Sequence, residues 1–120
     1  MPRGTSERSE LLTVGPLQVG PLQVAPSEQL ARAGGRTLNL SRRELLLLTA
    51  LASRADRIVS REQLCELVWD HPLRPGDRSV DVYVRKLRVK LEAAMPEWSF
   101  IHTHFGFGYR LAAEPRRPVA

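Results

Sequence analysis

RSVDVYVRKLRVKL, residues 78–91, is the stretch whose reading decides the fold. At about 100° of helix per residue, Val80, Val84, Leu87 and Leu91 fall on one narrow apolar stripe. The opposite side carries Arg78, Arg85 and Lys86, with Val82 and Val89 set among them, while Arg88 and Lys90 flank the stripe. Five cations against one anion, Asp81, leave this segment at net +4 in a chain whose formal charge is +5. A helix that buries one edge and shows a basic face with small apolar residues suits a nucleic-acid groove. Taken alone it equally fits a solvated basic face, so the flanking sequence has to separate the two.

A chain of 120 residues has room for one core. Its 42% hydrophobic and 26% charged content is that of a globular protein. A pI near 10.3 favours polyanionic partners. The lone cysteine, Cys65, excludes an internal disulfide and lies in an apolar-periodic run, where a packed thiol is expected. No segment has the apolar length of a membrane span, and the polar opening MPRGTSERSE has no signal-peptide run behind it. The expected setting is therefore cytoplasmic.

Residues 1–10 read as a flexible segment. Over residues 11–40, short apolar pieces (LLTV, PLQV, PLQV, EQLAR, RTLNL) are cut by Gly and Pro, the pattern of a small antiparallel sheet. GPLQV occurs twice in tandem. Five being odd, one continuous strand would turn the second copy's side chains to the other face, so the copies are either two strands across a turn or one strand plus an insertion. Residues 41–94 turn helical. Ser41-Arg42-Arg43-Glu44 and Ser60-Arg61-Glu62-Gln63 both have the capping-box form. The first opens a leucine-rich core helix and the second a short helix ending at Trp69, with Ile58 or Val59 as an entry staple. The prolines and glycine of DHPLRPGD, residues 70–77, make a loop, and Asp77 is placed to cap the basic helix with Asp81 in its first turn. Residues 98–103 and 109–112 read as the strands of a hairpin around HFGFG, and residues 114–120 as a polar tail.

Small sheet, three helices with the last one basic, then a hairpin: this order is an α+β winged helix-turn-helix spanning residues 11–113. Within it, 11–40 is the N-terminal sheet, 41–94 the helices and 98–112 the wing. The stretches LSRRELLLLTAL, IVSREQLCELVW, DRSVDVYVRKLRVKLE and IHTHFGFGYRL, in this order and spacing, closely resemble the effector domain of OmpR/PhoB-type bacterial transcription regulators. About 70 residues carry the resemblance strongly and about 100 loosely.

That resemblance implies sequence-specific binding of double-stranded DNA, with residues 78–91 as the recognition helix in the major groove and the hairpin on the adjacent groove or backbone. Arg78, Val82, Tyr83 and Lys86 match positions that face bases or the groove mouth. Lys86 can donate to guanine O6 or N7, and Val82 can meet a thymine methyl. Arg85, Arg88 and Lys90 match phosphate contacts, although Arg88, nearest the buried edge, can form an internal ion pair instead. Thr103 matches a wing-base backbone contact, with His104 and Phe105 beyond it. Loop 70–77, through His71, Leu73 and Arg74, matches the segment that addresses RNA polymerase in activators of this type. Head-to-tail pairs on direct repeats, located at the nucleoid, are implied in the same way. Five or six phosphate contacts would give a log–log salt slope of about −5.

The sequence also departs from that pattern. The family often has arginine at the wing tip, where Phe105 stands here; it can wedge at a base step or pack, with Phe107, onto the domain. Tyr83 replaces a commonly smaller or imidazole side chain. Residues 1–10 hold nothing of the receiver domain that full-length members carry, which leaves a standalone regulator, a piece of a longer protein, or another mode of control. LLTVGPLQV is similar to the opening strands of a related antibiotic-regulator family, whereas the GFGYRL wing fits the response-regulator type better. An enzyme is not expected. Of the three histidines, His71, His102 and His104, the last two could share a strand face but lack a third metal ligand, GFG lacks the setting of a dinucleotide loop, and no cofactor is implied. A protein-interaction winged helix is the remaining alternative, but such a module has no need of so basic a helix.

Overall fold

The computed structural model describes Leu11 and residues 15–116, and the architecture grows from the leucine-rich segment after Ser41. Helix α1 (Arg42–Ala52) opens in a complete capping box: the Ser41 hydroxyl accepts the Glu44 backbone N–H at 3.2 Å, and Glu44 Oε1 accepts that of Ser41 at 2.7 Å. Every residue from Glu44 to Ala52 is buried, because leucine around the whole circumference leaves no face for water. Helix α2 (Arg61–Trp69) starts with the second box, Ser60 and Gln63. Helix α3 (Ser79–Ala94) presents its stripe to the core, with Val80, Val84, Leu87 and Leu91 at most 2% exposed. The N-cap position of α3 is Arg78 rather than Asp77. Asp77 sits one residue earlier and accepts the Ser79 N–H at 2.9 Å, so it still satisfies one orphan donor of the first turn.

Ahead of the helices lies an antiparallel sheet of β1 (Leu17–Val19), β2 (Leu22–Ala25), β3 (Leu30–Ala33) and β4 (Arg36–Thr37), in that order. The tandem GPLQV resolves as two strands across a turn. Leu17 pairs with Val24, Gln18 with Gln23 and Val19 with Leu22, so the two LQV copies run against each other about a common centre. Gly20 takes φ +59° at the turn. Leu11 is buried; the rest of LLTV, the 1–10 segment and the end of the tail, residues 117–120, lie outside the described residues.

The wing has three strands where the sequence reading has two. β6 (Trp98–His104) and β7 (Gly108–Pro115) form the hairpin, and β5 (Ile58–Val59) adds to the far edge of β7, pairing Ile58 with Arg110 and Val59 with Tyr109. Ile58-Val59 is therefore a strand as well as the entry to α2. β7 also runs past residue 112: Glu114 and Pro115 pair with Ser99 and Trp98, and belong to the sheet rather than to a tail. Gly108 lies where the wing meets β5, at φ +144°, and a Cβ there would fall 2.1 Å from the Val59 carbonyl oxygen.

An ion pair joins the first and third helices. Lys90 Nζ lies 2.7 Å from Glu44 Oε1 and donates to the Asn39 carbonyl at 2.8 Å. Lys90, matched above to a phosphate contact, thus has an internal partner whose side chain is only 4% exposed. Burial pushes the Glu44 carboxyl up, but the Lys90 hydrogen bond, the Ser41 N–H and the Lys90 charge together outweigh it and hold the carboxyl below its ordinary value.

Two outcomes follow. Gly108→Ala should lose about 3 kcal/mol or more in urea denaturation, from the clash and the strained φ together. Lys90→Met, which strands the Glu44 carboxylate, should cost about 2 kcal/mol at neutral pH, below the full figure for a buried pair because the lysine is partly solvated. A depressed carboxyl pKa contributes stability above the unfolded value that disappears as pH falls through the folded one. The gap between wild type and Lys90→Met should therefore narrow below about pH 4, measured by denaturation across pH.

Candidate nucleic-acid interface

Opposite the buried stripe of α3, Arg78, Val82, Arg85 and Val89 fall within roughly 60° of one another, and all are exposed. Cations and valines alternate along this line, with Val82 46% and Val89 60% exposed. Lys86 lies beside it. Its Nζ sits 4.7 Å from the centre of the Tyr83 ring, and Tyr83 meets Trp69 edge-on at 5.3 Å. The Arg43 guanidinium covers the Trp69 ring at 5.1 Å. Two cations and two aromatic rings make one stack from α1 to α3, which restricts the rotamers of Lys86 and Tyr83 before any ligand arrives. Tyr83 is half-buried in this stack, so less of it faces outward than of Val82.

Asp81, the anion in the first turn of the helix, points away from that face. Arg61 Nε and Nη2 donate to its two oxygens at 3.1 and 2.9 Å, and the Tyr109 hydroxyl donates to Oδ1. Arg78 Nη1 lies 3.8 Å from Oδ2, yet its side chain is 79% exposed and stays free to reach out. The Tyr109 hydroxyl is pushed up to about 12 by burial, by its hydrogen bond to Asp81 and by that residue's charge, so it remains a donor. The junction binds the start of α2, the start of α3 and the base of the wing into one unit.

Arg88 is not a free cation, and its partners among the described residues are not carboxylates. Its Nε and Nη2 donate to the Ile101 carbonyl at 3.1 and 2.9 Å, and Nη2 also donates to the Thr103 hydroxyl oxygen. It ties α3 to β6, and Thr103 keeps its own O–H as a donor at the wing base. Between α3 and the wing runs an open groove lined by Arg61, Arg78, Thr103, His104, Phe105 and Phe107. At the wing tip Phe105 is 89% and Phe107 73% exposed, so neither packs onto the domain. His104 is half-buried and accepts from Arg110 Nε at 3.0 Å, which turns that ring nitrogen away from solvent.

In loop 70–77 Arg74 is exposed, His71 is half-buried and Leu73 packs against the core. His102 Nε2 lies 3.0 Å from the Ala112 carbonyl, a partner separate from that of His104. Sequence reasoning missed Arg43, Arg61, Trp69 and Tyr109. Each is ordinary within its own element and becomes part of the site through a partner far along the chain. Among the described residues no helix is long and apolar enough to cross a membrane.

Comparison with known proteins places this geometry in a family. The family model for "Transcriptional regulatory protein, C terminal" matches residues 35–111. The transcriptional regulatory protein PrrA of Mycobacterium tuberculosis is 40% identical over 103 residues, covering 86% of this chain and 42% of PrrA. The DNA-binding domain of CpxR from E. coli superposes with a TM-score of 0.76 at 33% identity, covering 82% of this chain and 97% of that one. The Klebsiella pneumoniae RstA DNA-binding domain in complex with RstA box gives 0.73 at 31% identity, covering 81% and 96%. The chain spans less than half the length of the curated relatives it matches. With its capped three-helix core, its outward basic helix and its wing, the chain belongs to the OmpR/PhoB-type winged-helix family of transcriptional-regulator DNA-binding domains.

Proposed function

We propose that this chain binds specific double-stranded DNA to regulate transcription, with α3 in the major groove and the wing on the neighbouring minor groove. The observation that carries this reading is the exposed Arg78–Val82–Arg85–Val89 line, with Lys86 beside it and Asp81, the anion of the first turn, turned inward. Val82 and Lys86 read bases, Val82 against a thymine methyl and Lys86 on guanine. Tyr83 reaches the groove by its ring edge while holding Lys86. Arg78 and Arg85 hold phosphates at the groove mouth, and the Thr103 hydroxyl does so at the wing base. Phe105, with Phe107 behind it, enters the minor groove as an apolar wedge. Arg88 and Lys90 have internal partners, so about three phosphate contacts remain and the expected salt slope softens to roughly −3.

Two copies bind head to tail on direct repeats about one helical turn apart, at the nucleoid in the cytoplasm. The exposed Arg74 of loop 70–77 is the point offered to RNA polymerase. A second reading is favoured by the bare phenylalanines of the tip: the wing docks a protein, as winged helices that serve as interaction modules do.

Selection from random DNA followed by titration tests these roles together. Lys86→Ala should flatten base preference at one position by about 1–3 kcal/mol. Arg85→Ala should weaken specific and random DNA alike. Equal losses on both DNAs for both variants would refute the division of labour, and an affinity indifferent to salt would refute the reading as a whole. The double variant Phe105→Ser/Phe107→Ser should bind its site about tenfold more weakly and bend it less in a circular-permutation assay. Unchanged DNA affinity in that variant, with the fold intact, would favour the protein-docking wing instead.

A further inference from the structure

The loop between α2 and α3 brings together three groups that the interface does not use. Cys65 is fully buried on α2, His71 and Asp77 are half-buried at the two ends of the loop, and one donor atom from each lies within 4.8 Å of the others. The Cys65 Sγ to His71 Nδ1 distance is 3.7 Å. A tetrahedral zinc ion with a Zn–S bond of about 2.3 Å and a Zn–N bond of about 2.0–2.1 Å sets its sulfur and nitrogen roughly 3.5 Å apart. Two of the three donors therefore already stand at close to the span of one coordination edge. The third lies within a side-chain adjustment of it.

We propose that Cys65, His71 and Asp77 form a zinc(II) site, with thiolate, imidazole Nδ1 and carboxylate oxygen as ligands and water in the fourth position. A mixed sulfur, nitrogen and oxygen set of this size selects a borderline-soft divalent ion over magnesium or calcium. Binding is balanced by protons. The Cys65 thiol gives its proton to solvent, and the proton that Nδ1 shares with the Pro72 carbonyl at 2.9 Å moves to Nε2 by exchange with water. Asp77 keeps its hydrogen bond from the Ser79 N–H, as ligating carboxylates commonly do. The three ligands come from the middle of α2, the start of the loop and the residue before the α3 N-cap. An ion there staples both ends of loop 70–77 and fixes the presentation of Arg74 between them. This inference does not depend on the DNA-binding reading.

Cobalt(II) titration of the chelator-stripped chain provides the test, with zinc(II) as competitor. One equivalent should produce a thiolate-to-cobalt charge-transfer band in the near ultraviolet and tetrahedral d–d bands in the visible, both displaced by zinc. His71→Ala alters a half-exposed loop residue, and Asp77→Asn preserves the hydrogen bond to Ser79, so neither disturbs the core. Each should weaken cobalt by roughly tenfold or more, and Cys65→Val should abolish the charge-transfer band. Absence of that band in the wild type, or affinities equal to wild type in both His71→Ala and Asp77→Asn, would overturn the site.

Discussion

The fold and its basic face meet at one carboxylate. Asp81 sits in the first turn of α3, where a negative charge complements the helix dipole, and on the surface it would oppose the cations beside it. The structure resolves the conflict by turning Asp81 into a fork of Arg61 and under the Tyr109 hydroxyl. Those partners come from two other elements, so the same contact that hides the anion fixes the angle between α2, α3 and the wing. A charge partly removed from water is tolerable only with its hydrogen bonds met, and here both oxygens have guanidinium donors. Loss of any member of the junction would therefore loosen the geometry and spoil the field together.

The cations of α3 divide by where their partners lie. Arg88 and Lys90 sit toward the buried edge, reach protein oxygens first and act as ties to β6 and to Glu44. Arg78, Arg85 and Lys86 sit on the far side and are exposed. Formal charge thus overstates the field available to a polyanion. Of five positive side chains on the segment, three point it outward. The aromatic stack beneath Lys86 compensates in kind rather than in number, since a lysine held over a ring loses less rotamer entropy when it engages a ligand.

Legibility in the sequence follows the range of the interactions. Both capping boxes, the apolar stripe of α3 and the hairpin glycines are written within four or five neighbouring residues, and each is found in the structure. The antiparallel pairing of the GPLQV copies is open to parity reasoning, which disfavours one continuous strand but does not choose between what remains. β5 was hidden because two residues carry no periodicity. Ile58-Val59 is a strand only because β7 offers it an edge. Arg61 with Asp81, Lys90 with Glu44 and Arg88 with Ile101 join residues 20, 46 and 13 positions apart, and nothing local marks one arginine as structural and another as free. The site was legible as a face, and its internal division was not. Cys65 shows the same limit, since a packed thiol and a thiol packed against His71 look alike in sequence.

The wing carries the same logic from base to tip. At its base β7 is held on both sides, by β5 and by β6, and it is also touched by the N-terminal sheet. A Cβ on Gly20 would lie 2.5 Å from Ala113 Cβ, so only glycine lets the β1–β2 turn close against the strand. Gly108 fills the equivalent need against the Val59 carbonyl. With Arg88 fastening β6 to α3, the base of the hairpin has little freedom to reorient against the helix. The tip is the reverse, two phenylalanines in solvent around a glycine at φ +83°. Bare aromatic surface has a hydrophobic cost in water that only a partner removes, and a rigid base ensures that this surface is presented at one fixed offset from Lys86 and Val82. In the proposed complex the wing therefore adds apolar contact at a set distance rather than charge, and sites whose minor groove opens easily at that distance gain over those that resist deformation.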